Sequence, residues 1–266
     1  MRNFTSAALV TATAIGASAS GALVAGDIAI VGIQASGVTT DSIAFAALTN
    51  LEAGTVIYFT DNGWTGTGFR GVSGTDSDGN ENLMKFTVGA GGLAAGTVVS
   101  SRSTNAAFGT WTLSGAVGAG TSAYAQLSLS STGEQITAFV SSSASNPFNP
   151  MNDLATLTTL YNFDNTGAYE IATTSGTGSL ATGLVQGTSA VLLATATNAN
   201  YAVFNFAAFS GAADRDTWLA RIGNAANWTT STATTDMADG SFLIPAPGAA
   251  ALVGVAGLVT GRRRKA

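Results

Sequence analysis

Glycine is the feature that most constrains how this chain folds. The 266 residues include 33 glycines, which divide the apolar residues into short runs separated by turns. Because glycine is unfavourable inside helices and common in turns, such a chain favours short strands. Hydrophobic residues make up 46% of the sequence and charged residues only 9%, so few of the Glu, Lys and Arg residues that long surface helices use are present. We therefore expect an all-β fold.

Runs that are typical of strands recur between these turns. They lie at 26–37, 42–48, 55–61, 83–88, 123–129, 135–140, 190–195 and 202–206. One short helix is predicted at 214–222, where acids stand in its first turn and Gly223-Asn224 closes it. Residues 141–151 are predicted to form a loop, and 152–161 a short helix or irregular structure. Turn signals about every ten residues indicate an antiparallel sandwich or a closed barrel.

A four-residue repeat marks two of the strand starts. Ala53-Gly54-Thr55-Val56 and Ala95-Gly96-Thr97-Val98 are identical and stand in similar contexts, LEAGTVIYF and LAAGTVVSS. The repeat is too short to indicate a duplication. It predicts two similar entries from a turn into a strand.

The chain contains no cysteine and no histidine. Disulfides and thiolate metal sites are therefore excluded, and folding has to rest on burial of the core. Without histidine, any catalysis is limited to carboxylates, Lys85, tyrosines and hydroxyl groups. All fifteen acids lie between Asp27 and Asp239, where only five basic residues occur, so this part has a net charge of −10. That sign argues against nucleic acid as a partner.

The N-terminus has the layout of a secretory signal peptide. Arg2 precedes a small, apolar stretch at 7–17, and Ala17-Ser18-Ala19 provides a small-x-small cleavage site. We expect export and removal of residues 1–19 by signal peptidase. Cleavage after Ala25 is the alternative to cleavage after Ala19. The alternative to a signal peptide is a buried N-terminal strand or helix.

The C-terminus is predicted to contact a membrane. Residues 242–261 carry no charge, and the apolar part beyond the prolines, 248–261, is predicted to be a transmembrane helix. Four basic residues follow it: Arg262, Arg263, Arg264 and Lys265. Such a cluster stays in the cytoplasm and stops transfer. The body at 26–240 would then be outside the membrane and residues 241–266 would form its tail.

This three-part tail resembles the PEP-CTERM sorting signal of exopolysaccharide-producing bacteria. The resemblance implies that Pro245, Ala246 and Pro247 form the recognition motif, and that an exosortase-like enzyme cleaves the tail. Residues 262–265 would be the retention cluster, and the mature protein would lie at the cell surface or in the extracellular matrix. Ala246 stands where Glu is usual in that family. A plain single-pass anchor is the alternative.

Several pieces of the body resemble a lamin-tail-like module of secreted bacterial proteins. They are IYFTDNGW at 57–64, GGLAAGTVV at 91–99, STGEQITAF at 131–139, LYNFD at 160–164 and NAANW at 224–228. The resemblance implies an immunoglobulin-like β-sandwich with an accessory or structural role. It transfers no binding residue to this chain.

The densest group of oxygen ligands is a candidate calcium site. It comprises Asp76, Asp78, Asn80 and Glu81. Calcium takes six to eight oxygens, and alternating carboxylates on a loop supply several of them. The spacing does not match an EF-hand, because Gly79 is fourth in the loop and Thr87 is twelfth. A solvated acidic turn is the alternative, and no other cofactor is expected.

Three aromatic residues, Tyr58, Trp64 and Phe69, are candidates for stacking on a sugar, with anchoring of the core as the alternative. The acids available for glycoside hydrolysis are Asp61, Glu134, Asp164 and Glu170, but their spacing singles out no pair. We therefore expect a non-enzymatic surface protein, with exopolysaccharide as a candidate partner. The alternatives are a carbohydrate-active enzyme and a calcium-dependent carbohydrate-binding protein.

Overall fold

The computed structural model of the chain describes residues 22–35, 41–70, 82–116, 123–143, 155–170, 178–194, 200–232 and 237–245. The described part is mostly β-structure, as predicted. Its strands are β1 (Ile28–Gln34), β2 (Ser42–Ala47), β3 (Val56–Thr60), β4 (Leu83–Val88), β5 (Thr97–Ser100), β6 (Gly109–Thr112), β7 (Ser114–Ala116), β8 (Ala123–Ala125), β9 (Gln135–Ser141), β10 (Leu157–Asp164), β11 (Ala190–Leu192), β12 (Tyr201–Phe204), β13 (Trp228–Ser231) and β14 (Gly240–Ser241). The helix α1 is Arg215–Ile222, and two 3-10 turns lie at Phe206–Ala208 and Ala225–Asn227.

The strands form two sheets. The first has six strands in the order β13-β12-β1-β2-β5-β14. The second has eight, in the order β11-β10-β9-β3-β4-β8-β7, with β6 also paired to β4. Most pairs are antiparallel, as predicted, but β10 pairs with β11 and β4 pairs with β8 in parallel.

The two sheets share one hydrophobic core. The ring of Phe45 on β2 lies 5.3 Å from that of Phe59 on β3 and 5.2 Å from that of Phe86 on β4, so side chains of the two sheets are in direct contact. Every residue of β1 and of β2 is buried. Strands covered on both faces have no polar side to alternate with, which explains the continuous apolar runs IAIVGI in β1 and IAFAA in β2.

The predicted helix at 214–222 is confirmed by α1. Asp214 is its N-cap and accepts a 2.7 Å hydrogen bond from the backbone N–H of Thr217. Gly223 follows the last helical residue. Trp218, Leu219 and Ile222 are the buried side chains of the helix, and they pack on the main core. Packing therefore stabilises this two-turn helix, since a helix this short is marginal by itself.

The prediction of a short helix or irregular structure at 152–161 is wrong for residues 157–161. These residues begin β10, which pairs with β9 from Leu157 opposite Ser141 to Asp164 opposite Gln135. Six consecutive residues from Thr159 to Asp164 are buried, so burial does not alternate along this part of the strand. Antiparallel pairing with β9, the preceding strand along the chain, decides the structure here.

Several predicted segments lie outside the described residues. They are the signal peptide at 1–19, the acidic loop with Asp76, Asp78, Asn80 and Glu81, the tail at 248–261, and the cluster Arg262 to Lys265. In the part of the chain that is described, no helix is long and apolar enough to cross a membrane.

Candidate functional site

Three of the four candidate acids come together at one end of the eight-stranded sheet. β3, β9 and β10 are neighbours in this sheet. Asp61 follows β3, Glu134 precedes β9 and Asp164 ends β10, and antiparallel pairing brings these positions to the same edge. All three acids are buried. Glu170, the fourth candidate, is exposed.

Two of these acids, together with Asp41, bind a single loop. Three consecutive backbone N–H groups of the loop at 126–130 donate to three different carboxylates. Ser128 N–H donates to Asp61 at 2.9 Å, Leu129 N–H to Asp41 at 2.6 Å, and Ser130 N–H to Glu134 at 3.1 Å. Asp61 also accepts a 2.8 Å bond from the N–H of Asn82. We call Asp41, Asp61 and Glu134 the carboxylate clamp.

The carboxylate clamp explains why the strand predicted at 123–129 does not include Ser128 and Leu129. The sequence predicts a strand at 123–129, but β8 stops at Ala125. From Ser128 onward, the amides that would extend a ladder donate to side-chain carboxylates instead. Carboxylates that accept backbone N–H groups in a buried site are well suited to hold a loop. A glycosidase pair instead needs two carboxyl groups that face a sugar across an open cleft.

A second polar group is centred on Gln135, at the start of β9. Its Oε1 accepts a 3.3 Å hydrogen bond from the N–H of Trp64. Its Nε2 donates to Oδ2 of Asp164 at 3.3 Å and to the carbonyl oxygens of Gly178 at 3.1 Å and Ser179 at 3.3 Å. Gln135 thereby links Asp164 at the end of β10 to the segment that contains Trp64 and to the segment that contains Gly178 and Ser179. A Cβ on Gly178 would lie 1.9 Å from Gln135 Oε1, so only glycine fits at this position.

The carboxyl group of Asp164 has a raised pKa. Desolvation by burial is the largest cause, and the charge of Glu170 acts in the same direction. Hydrogen bonds from Thr166 and Gln135 stabilise the charged form of Asp164, and they partly offset this rise in the pKa. Both the N–H and the hydroxyl group of Thr166 donate to Asp164 Oδ1 at 2.7 Å. Asp164 is thus enclosed in protein and bonded to its neighbours.

The predicted aromatic platform is part of a hydrophobic core. Trp64, Phe69 and Tyr58 are 0%, 2% and 7% exposed and belong to a second hydrophobic cluster. The Trp64 and Phe69 rings meet edge to face at 5.0 Å, and Tyr58 stacks on Phe139 at 5.3 Å. Burial, together with neighbouring Tyr124, raises the pKa of Tyr58 to about 12. Because these rings present no open face, the sugar-stacking prediction is corrected in favour of core anchoring.

The described part of the chain contains a groove of about 1140 Å³. We call it the terminal groove because residues 22–23 and 244–245, from the two ends of the described chain, both line it. Residues 48–50, 140–142 and 155–158 contribute further walls, rich in hydroxyl and amide groups. This groove cannot be predicted from local sequence patterns, since its lining comes from segments far apart along the chain.

Arg215, the first residue of α1, bridges one wall of the terminal groove. Its Nη2 lies 3.1 Å from Oδ1 of Asp27 and donates to the carbonyl oxygen of Ala25 at 2.9 Å. The neighbouring Asp214 has a lowered pKa, because hydrogen bonds from the side chain and backbone of Thr217 stabilise its charged form. Both residues also line the groove.

Pro245, the first residue of the predicted sorting motif, is exposed at the rim of the terminal groove. Ala246 and Pro247 lie outside the described residues. Within the described part of the chain, no group of three or more acids is placed to hold a metal ion. Comparison of the chain with protein-family models, with curated proteins and with solved structures finds no match.

Proposed function

We propose that this chain is a non-enzymatic exported protein of the cell surface or extracellular matrix, sorted through its C-terminal tail by an exosortase-like enzyme. Its body is proposed to be an immunoglobulin-like β-sandwich. The observation that carries the proposal is the position of Pro245. This residue is exposed and directly follows residues packed on the body, so a sorting enzyme can reach the tail that begins there.

The placement of the acids supports the non-enzymatic part of the proposal. Asp61 and Glu134 hold backbone amides of the loop at 126–130, and Asp164 lies in the network around Gln135. With no histidine or cysteine in the chain, carboxylates are the main groups left for acid–base chemistry. The candidates that come together are therefore used for structure.

The proposed role of the body is mechanical. A shared core between two sheets makes a rigid module, and a net charge of −10 between Asp27 and Asp239 keeps it soluble among other chains. An exopolysaccharide matrix is the proposed setting. Signal peptidase and the sorting enzyme are the proposed processing partners, and residues 248–261 provide the membrane contact before the tail is removed.

The test is the location and intact mass of the protein in its native bacterial host. We expect a surface or matrix fraction whose mass lacks both residues 1–19 and the basic cluster at 262–265. Pro247→Ala should trap the uncleaved chain in the inner membrane. Leu243→Ala changes an exposed side chain just before the motif and is the control. A wild-type protein that keeps Arg262 to Lys265 in the inner membrane would be a plain anchored protein and would contradict the proposal.

Carbohydrate binding is a second candidate function, and the terminal groove favours it. The groove, at about 1140 Å³, is slightly larger than typical small-molecule sites of roughly 300–1,000 Å³, so an oligosaccharide fits within it. Its walls include Asn50, Glu52, Thr156 and Thr158, whose side chains suit sugar hydroxyl groups. Calorimetric titration with oligosaccharides from the host matrix tests this role. Saturable binding that Thr158→Val weakens would support it, and no heat at millimolar ligand would exclude it.

A further inference from the structure

The last residues of the described chain are part of the fold. β14 pairs with β5, with Gly240 opposite Val98 and Ser241 opposite Thr97. The N–H of Phe242 then donates to the carbonyl oxygen of Gly96 at 2.9 Å. The ring of Phe242 lies 4.5 Å from that of Trp218 and 5.0 Å from that of Phe206. We call Gly240 to Ile244 the C-terminal strap.

The first described residues are also bound to the body. Leu23 packs against the main hydrophobic cluster. The N–H of Val24 donates to Oδ2 of Asp27 at 2.8 Å, which closes a tight turn. Gly26 is buried and donates its N–H to the carbonyl oxygen of Leu160 on β10 at 2.8 Å. We call Leu23 to Asp27 the N-terminal turn.

One helix holds both ends. Arg215 of α1 binds the N-terminal turn through Asp27 and the carbonyl oxygen of Ala25. One turn later, Nε1 of Trp218 donates to the carbonyl oxygen of Leu243 at 3.1 Å, and the N–H of Ala213 donates to the same oxygen at 3.2 Å. The two ends of the body therefore depend on the same short helix and emerge beside the same groove.

We propose that the mature protein keeps both the N-terminal turn and the C-terminal strap. The N-terminal cut is at the bond between Ala19 and Ser20, not at the bond after Ala25. The C-terminal cut is at the bond that follows Ile244 or at a later one. This inference rests on the proposed export and processing. It also extends the body beyond the limits of 26 and 240 that the sequence indicates.

The chemistry of a cut after Ala25 explains the first boundary. That cut would convert the amide of Gly26 into a charged ammonium group at a buried position, and burying a charge is costly. It would also remove Leu23 from the core and the Ala25 carbonyl from Arg215. A cut after Ala19 leaves the new ammonium on Ser20, ahead of the packed residues.

The C-terminal boundary follows from the access that a protease needs. An enzyme binds its substrate as a locally open segment, so the strap would have to leave Trp218 and Gly96 before a cut within it. Pro245 is exposed and lies beyond these contacts. The first accessible bonds therefore lie after Ile244.

Limited proteolysis of the full-length chain, purified in detergent, tests the boundaries independently of export. With an unspecific protease, we expect a resistant core that begins at or before Leu23 and ends at or after Ile244, read from its intact mass. A core that begins after Asp27 or ends before Gly240 would overturn the proposal.

Neighbouring residues provide matched variants for this test. Phe242→Ala should speed cleavage within the strap about tenfold or more, because cleavage follows the population of the opened segment. Leu243→Ala, at a side chain that is 67% exposed, should change the rate of cleavage within the strap less than about twofold. At the other end, Leu23→Ala and Val24→Ala form the same kind of pair, since Val24 is 55% exposed. Equal effects within each pair would overturn the assigned contacts.

The cut itself is tested in the exporting host by intact mass. Signal peptidase requires a small residue before the bond, so Ala19→Leu should block N-terminal maturation and Ala25→Leu should leave it intact. A mature chain that begins at Gly26 would overturn the proposal. A chain with neither end removed would contradict the proposed function, while the resistant core of the purified protein still decides the boundaries.

Discussion

The carboxylate of Asp61 accepts a 2.9 Å hydrogen bond from the backbone N–H of Ser128, across 67 positions of sequence. Asp41 and Glu134 accept the next two amides of the same loop. Hydrogen bonds to ionised groups are stronger than neutral ones, and buried amides without partners are costly. The acids of this chain that are closest to a catalytic arrangement are therefore expected to act on stability.

Replacing Asp61 should destabilise the protein strongly. Asp61→Ala leaves the amides of Asn82 and Ser128 without their acceptor, and we expect the free energy of unfolding to fall by about 3 kcal/mol. Urea denaturation followed by tryptophan fluorescence measures the change. The control is Glu52→Gln at an exposed acid, which should stay within about 0.5 kcal/mol of wild type. Similar small losses for both variants would show that the clamp does not hold the loop.

Replacing Gln135 should lower the free energy of unfolding at least as much as replacing Asp61. Gln135→Leu keeps the approximate volume but removes the partner of Trp64 N–H and of the carbonyl oxygens of Gly178 and Ser179. We expect a loss of about 3 to 4 kcal/mol in the free energy of unfolding, because several buried groups are left unpaired. Gln186→Leu, at an exposed glutamine, is the matched control. Thermal denaturation of the two variants side by side measures the contrast.

Much of the fold is predictable from local patterns in the sequence. The strands from β1 to β5 and α1 follow from apolar runs, turns and a capping aspartate, which are local signals. β10 is not predicted from the sequence, because polar and apolar side chains are both buried along it and the residue types do not mark one buried face. The short strands β7 and β14 have only three and two residues, too few for a pattern.

The site was less predictable, for a different physical reason. The sequence identified Asp61, Glu134 and Asp164 as notable acids, but their common position depends on the order of strands in the sheet. It also singled out Trp64 and Phe69, yet whether an aromatic ring faces solvent or core depends on which segments cover the sheet. Residue types are local information, whereas burial is decided by tertiary packing.

The raised pKa of Asp164 gives a pH dependence of defined sign. The folded protein holds this proton more tightly than the unfolded chain, whose reference pKa is 3.8. The contribution of Asp164 to stability therefore falls as pH rises from below 3.8 through the raised pKa. Asp164→Asn has no proton to lose, so wild type should lose stability relative to this variant over that range.

Urea titrations of both proteins at a series of pH values between about 3 and 7 measure this difference, and the titration of the other acids is common to both. The difference should become constant once the pH exceeds the raised pKa. If wild type instead gained stability relative to Asp164→Asn as pH rose, the hydrogen bonds from Thr166 and Gln135 would outweigh desolvation.

The two glycines of the AGTV repeat should respond differently to the same substitution. Both have positive φ, 78° at Gly54 and 88° at Gly96, and both precede strands, which confirms the two similar entries that the repeat predicts. A Cβ at Gly54 meets nothing within 4 Å, whereas one at Gly96 would lie 2.1 Å from the carbonyl oxygen of Phe242. Gly54→Ala should cost about 1 kcal/mol of backbone strain.

Gly96→Ala should cost at least about 2 kcal/mol more, because the alanine methyl group displaces the C-terminal strap in addition to straining the backbone. Chemical denaturation of the two variants measures the difference, with Gly54→Ala serving as the control for backbone strain alone. Equal losses would mean that the strap moves aside without cost, and they would weaken the assignment of Phe242 to the folded body.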